Sequence, residues 1–324
     1  MLNGTCSAQK LTAADYASNP VYTGSSGWTN GQNGGYGFGP WNFDGTGAYP
    51  PTNSLGEPYQ YQAMSSSSPL GPSWTLLTHS GGQNRTGLAN AGRAIPGGLQ
   101  PGQTFEAFIQ NPSVWQGIYS YGGFDLLFTS GSDNNPAGTN TAALRAQVFD
   151  YFNPSQYWAI TDGDGTAHLT GGTYPAFPGT LTAAAGMKLD FTLLSTNTYS
   201  LTMTPLSDPS MAYTQTGNLA TNPVTWVNFR LYCGASSGLT DTANNYSISS
   251  MTISPLTLNI QKDGTNVLLS WLGAISNFNL VSSTNLSLPG WTAVSTTPSI
   301  VNGQNVVTNP IVGKQQFFRL QLQQ

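Results

Sequence analysis

The chain has 324 residues, and its 38% hydrophobic content suffices for a real core and excludes wholesale disorder. Charged residues make up only 7%, the net charge is −4, and no Lys/Arg cluster occurs. Nucleic acid and anionic membrane surfaces are therefore excluded as partners, and no apolar run approaches the roughly 20 residues of a membrane span.

The chain opens MLNGTCSAQK, without the basic start and apolar stretch of a leader. Its composition is nevertheless that of an exported protein. A secreted, extracellular or cell-surface location is expected, with the leader removed and Met1 not native. With so few charges, solubility rests on Ser, Thr, Asn and Gln, which suit β surfaces and turns better than helix faces. The 38 Gly and 21 Pro cut the chain into short elements, and no dozen residues show helical apolar spacing. The prediction is all-β.

Residues 1–24 are taken as an extended N-terminal segment, followed by a Gly-, Asn- and Tyr-rich stretch to about residue 60. Aromatic residues are too frequent there for a linker, so the stretch is expected to be ordered, with Trp41 and Phe43 packed inward. An exposed aromatic binding loop is the alternative. Strands are then expected at 74–79, 103–110, 124–128, 144–151, 156–161 and 165–170, each alternating apolar and polar residues. The clearest signal is MKLDFTLLSTNTYSLTMTPL, residues 187–206. Leu189, Phe191 and Leu193 alternate on one arm, Tyr199, Leu201 and Met203 on the other, and residues 195–198 make the turn. Such a hairpin needs neighbours and a covering sheet. Strands at 225–233 and 246–253 complete a large two-sheet jelly roll or sandwich over residues 25–254.

A boundary is expected near Pro255. Residues 255–324 carry their own strand set and two tryptophans, which describes a second, small β-sandwich.

Four of the charges on predicted strands, each opposite the apolar face, are the candidates. Glu106 travels with Phe108 and Gln110, Asp125 lies beside Leu127, Arg145 accompanies Gln147 and Phe149, and Arg230 sits with Trp226, Asn228 and Tyr232. If these strands adjoin, one outer face presents rings, amides and both signs of charge. Rings stack on sugar faces and the polar groups satisfy hydroxyls, so polysaccharide or glycan is the expected ligand. Ordinary solvated strand faces are the plain alternative. A hydrolase would need Glu106 and Asp125 about 5–9 Å apart on adjacent strands. A lyase would draw on Arg145, Gln147, Arg230 and Tyr232.

Cys6 and Cys233 are the only cysteines and are expected to form a disulfide, two separate thiols being the alternative. With only His79 and His168 beside them, a zinc site is not expected. No cofactor is expected. Asp162 and Asp164, in Asp-Gly-Asp-Gly, offer a structural calcium site, but a tight hairpin turn explains them as well.

Two resemblances accompany these readings. Leu268-Leu-Ser-Trp271, the run Phe278 to Leu286, Trp291-Thr-Ala-Val294 and Gln315 to Leu320 resemble the fibronectin-III-like modules that end exported proteins of the Verrucomicrobia type. Only six strands are legible there, so either the fold is shortened or a sheet edge is left open where a seventh should follow, the latter a route to a homo-oligomer or fibre. Trp74, Arg93, Gly102 to Phe105, Asp125 to Phe128 and Tyr157 to Asp162 are similar in layout to concanavalin-like lectin and glucanase jelly rolls. That fold hosts lectins, hydrolases and lyases alike, and the Glu-x-Asp-x-x-Glu strand motif of its glucanases is missing. The expectation is a non-catalytic carbohydrate-binding protein. The alternatives are a surface or fibre protein, in which residues 1–24 complete a neighbour's sheet, and a polysaccharide-degrading enzyme on the same face.

Overall fold

A computed structural model of the chain describes residues 11–24, 27–43, 60–65, 68–78, 87–110, 122–131, 144–153, 155–162, 167–169, 185–219, 223–233, 246–273, 278–286, 290–301, 304–313 and 315–322. In chain order the first strands are β1 (Ala13–Tyr16), β2 (Trp41–Phe43), β3 (Gln60–Ser65), β4 (Ser73–Thr78) and β5 (Gly87–Ala94). Next come β6 (Thr104–Gln110), β7 (Gly122–Thr129), β8 (Leu144–Asn153), β9 (Ser155–Thr161) and β10 (Ala167–Leu169). β11 (Met187–Leu193), β12 (Thr198–Pro205), β13 (Tyr213–Asn218), β14 (Trp226–Cys233) and β15 (Tyr246–Ser254) follow. One helical turn, α1 (Pro20–Thr23), is capped by the Asn19 side chain, which accepts from the Val21 N–H.

Two antiparallel sheets hold these strands. The first has the order β13-β12-β11-β6-β15-β4-β3, with β1 also on β15; the second has the order β10-β9-β8-β7-β14-β5-β2. Their apolar faces share one core, so the chain is an all-β sandwich. The hairpin at its centre forms as its alternation predicts, with Leu189 opposite Met203 and Phe191 opposite Leu201. Phe191 stacks between Phe128 of the other sheet, at 3.8 Å between ring centres, and Tyr199, at 5.1 Å. Stacked rings joining the two layers explain why these positions are aromatic rather than merely apolar.

Residues 11–24 correct one expectation. They are not an arm held out for a neighbour: β1 pairs with β15 of its own chain, and Ala13, Asp15, Ala17 and Tyr22 are buried. The Gly-rich run after them packs against β1 through a bridge from Ala14 to Tyr36. A Cβ on Gly35 would sit 2.0 Å from the Ala14 carbonyl oxygen, so close backbone approach demands glycine there. Trp41 is buried and Phe43 packs on the core, as expected of an ordered, inward-facing stretch.

Strands β16 (Asn259–Asp263), β17 (Asn266–Leu272), β18 (Phe278–Ser283), β19 (Thr292–Ala293), β20 (Ser299–Val301), β21 (Gln304–Pro310) and β22 (Phe317–Leu322) form two further sheets. Their orders are β16-β17-β21-β20 and β19-β18-β22. Their separate core centres on Leu269, Trp271, Leu280 and Val307. Among the described residues seven strands are present rather than six: no described strand lies in the expected run at 284–291, while β19 and β20, too short to register as periodic runs, are added. Among the described residues β22 still has a partner on one side only.

Candidate functional site

The pairing of β5, β14, β7, β8 and β9 decides which candidates share a face. Leu231, Phe229 and Val227 of β14, Leu126 and Phe128 of β7 and Ile160 of β9 point into the core. The cross-strand rows that alternate with them form the outer side of the second sheet. One row runs Asn90, Arg230, Asp125, Phe149, Ala159. The next runs Gly92, Asn228, Leu127, Gln147, Thr161. Beyond the first lies Leu88, Tyr232, Gly123, Tyr151, Tyr157, and beyond the second Ala94, Trp226, Thr129, Leu144. Arg145 is the extra residue of a bulge, where the register steps from Phe128/Ala146 to Thr129/Leu144.

Asp125, Gln147, Phe149, Trp226, Asn228, Arg230 and Tyr232 thus occupy one side of one sheet, with Arg145 at its bulge. Arg230 and Asp125 are direct register partners, and opposite charges in that relation are favourable. Tyr157 joins the tyrosine row only through the β8–β9 pairing. Its alternation was visible in the sequence, but which row it completes was not.

Glu106 and Phe108 are a correction. β6 belongs to the other sheet, between β11 and β15, so their outer face lies on the far side of the sandwich from Asp125. The Glu106/Asp125 pair that a hydrolase would need does not exist. An outward position on a strand does not reveal which sheet the strand joins, and the chain alternates between the two sheets here. Glu106 instead faces Lys188 and Asp190 of β11. The Lys188 Nζ lies 2.6 Å from Asp190 and 3.6 Å from Glu106. Partial burial, then the neighbouring Asp190 charge, holds the Glu106 carboxyl above the usual range. For Lys188 burial alone would lower the pKa, but the Asp190 hydrogen bond and the two carboxylate charges carry it above its ordinary value. This is a solvated salt-linked trio with only modest energetic weight.

The middle of the second sheet's outer side is a further correction to the picture of an open platform. Leu127 is fully buried, Asn228 is 1% exposed and Arg230 7%. The Asn228 amide donates to Thr129 Oγ1 at 3.0 Å, and a Cβ on Gly92 would strike its Oδ1. Asn228 is therefore occupied in holding β5, β14 and β7 together. Trp226, at the end of its strand, remains half-exposed. Alternation reports which side of a sheet a residue takes, not whether a third layer covers that side.

The charged centre that sequence reasoning missed is Arg93. It lies at a core-facing position of β5, fully buried, and is ion-paired with the equally buried Asp15. Its Nη2 donates to Asn33, its Nε donates to the Gly39 carbonyl at 2.7 Å, and its guanidinium lies about 5.1 Å from the Trp41 ring. The Tyr22 hydroxyl donates to Asp15 as well. Burial, reinforced by the Asp15 hydrogen bond, pushes the Tyr22 pKa up to about 12. Every donor of this set is met by the Gly-rich segment or β1, so the cluster clamps residues 15–39 onto the sandwich.

Asp162 is buried and accepts from the Tyr199 hydroxyl at 3.0 Å, linking the end of β9 to β12 of the other sheet. Asp164, Cys6 and the Cys233 side chain lie outside the described residues, as do the proposed disulfide and the second half of the calcium loop. No group of three or more His, Cys, Asp or Glu able to hold a metal occurs among the described residues. A small cleft of about 170 Å³ opens beside Gly102, Thr104, Leu256, Asn259 and Gln304, and contains none of the candidate binding residues. No helix among the described residues is long and apolar enough to cross a membrane.

No known protein family matches the chain, and no curated protein matches it in sequence. Solved structures do show likeness. A legume lectin-like domain from Entamoeba histolytica is 9% identical over 67% of this chain and 90% of its own, with a TM-score of 0.40. The exoplasmic/lumenal domain of VIP36, in a form bound to Ca²⁺ and Man3GlcNAc, is 11% identical over 69% and 88%, with a TM-score of 0.38. A protein described among endo-acting O-glycanases of the human gut microbiota is 8% identical over 76% and 100%, with a TM-score of 0.43.

Proposed function

We propose that this chain is a secreted, non-catalytic carbohydrate-binding protein whose glycan is held along the outer side of the second sheet. The observation that carries this reading is the gathering of rings into cross-strand register on one side. Tyr232, Tyr151 and Tyr157 share a row, Phe149 follows in the row with Arg230 and Asp125, and Trp226 stands at the far end. Burial of Leu127 and Asn228 moves the contacts to the two ends of that side, at Trp226 and at the tyrosine row. At Trp226, which is only partly buried, a sugar ring can stack. The C-terminal sheets form the fibronectin-III-like accessory unit in this reading.

Affinity electrophoresis against plant, algal and bacterial polysaccharides tests the proposal. Retardation by at least one polymer is expected, and Trp226→Ala or Tyr157→Ala should weaken it roughly tenfold, the worth of about one stacked ring. Absence of retardation by every polymer sinks it. A second reading, a structural surface protein, is favoured by the closed middle of the same side, and would then stand.

A further inference from the structure

We infer that the free edge of β22 pairs with the same strand of a second copy of this chain, forming a two-fold dimer. This goes beyond the glycan site and does not depend on it. β22 has β18 on one side and no described strand on the other. Its core-facing residues, Phe318 and Leu320, pack against the small core yet remain half-exposed. A strand laid alongside would cover them. Exposed edges are ordinarily blunted by charge, proline, shortness or a bulge. The other edges of these two sheets follow that rule. β16 ends in Lys262 and Asp263, β19 is two residues long, and β20 is three residues long and follows Pro298. β22 has six residues, a single charge and no proline.

The identity of the occupant comes from register. Placing Leu320 on a two-fold axis sets Leu320 against its own copy, so apolar residues meet on the core side. On the opposite side Arg319 then faces Gln321 of the other chain. No like charges oppose each other, and Gln321 already accepts from Arg319 within one strand at 3.3 Å. Moving the axis to Arg319 would put the two arginines face to face, which opposes that register. Antiparallel pairing about Leu320 therefore satisfies side chains on both faces and joins two three-stranded sheets into one of six.

Sedimentation equilibrium on the whole chain at micromolar concentration is the test. A mass rising toward twice the 34.2 kDa of one chain is expected. Leu320→Lys, which sets two ammonium groups on the axis, should return the protein to monomer. If that variant misfolds by circular dichroism, Gln321→Arg at an exposed position keeps the fold and sets two Arg/Arg pairs. It should raise the dissociation constant roughly tenfold. Ile300→Lys, on the exposed edge of the other sheet, should leave the mass unchanged. A wild-type monomer throughout, or a dimer indifferent to Leu320→Lys and Gln321→Arg in folded protein, overturns the inference.

Discussion

Arg93 and Asp15 show what a single charge can mean in a chain with so few. Each is fully buried, each is hydrogen-bonded on several sides, and removing one leaves the other charged and unpaired in a low-dielectric core. Arg93→Ala or Asp15→Ala should therefore cost about 3–5 kcal/mol in chemical denaturation. The Tyr22 hydroxyl adds a pH signature. Its pKa is raised in the folded state, so the folded protein holds that proton more tightly than the unfolded chain does. The resulting stability is fully present below about pH 10, the unfolded value, and is lost as pH climbs toward about 12. A fall of roughly 2 kcal/mol across that window is expected, and Tyr22→Phe should flatten it. An unchanged slope in the variant would remove Tyr22 from the account.

At the scale of elements, the hairpin of β11 and β12 was readable in its two arms, its turn and its core-facing set, which follow from period two. The Gly-rich run at 33–40 was readable as ordered but not as a clamp on β1. Gly35 is required there because the Ala14 backbone lies where a side chain would go. Gly35→Ala should break the Ala14–Tyr36 bridge and destabilise by about 1–3 kcal/mol through overpacking, measured by thermal or denaturant unfolding. β19 and β20 escaped notice because two or three residues cannot display a period. The bulge at Arg145 escaped for a different reason: it is a property of the β7–β8 pairing, not of either strand.

For the whole molecule, two separate cores imply two cooperative units of unequal strength. The core shared by the first two sheets draws on strands from residue 13 to residue 253, whereas that of β16–β22 rests on Leu269, Trp271, Leu280 and Val307. Calorimetry should show a lower transition from the C-terminal sheets and an upper one from the sandwich. Trp271→Ala, removing the largest buried side chain of the smaller core, should cost that unit about 3–5 kcal/mol and leave the upper transition in place. A single transition, shifted as a whole by Trp271→Ala, would show the two cores to be thermodynamically one.

By itself the sequence determined the all-β class, the alternating faces, the central hairpin and the shortage of charge, because each of these is set by residues near one another in the chain. The tertiary structure alone decided that β6 lies in one sheet while β7, β8 and β14 lie in the other, which separates Glu106 from Asp125. It alone decided that Arg93 turns inward, that Leu127 and Asn228 are covered, and that Tyr157 completes a row with Tyr151 and Tyr232. Side-chain alternation is a local consequence of strand geometry, whereas sheet membership and coverage depend on partners a hundred or more residues away. Distant pairing therefore sets which outward residues can act together.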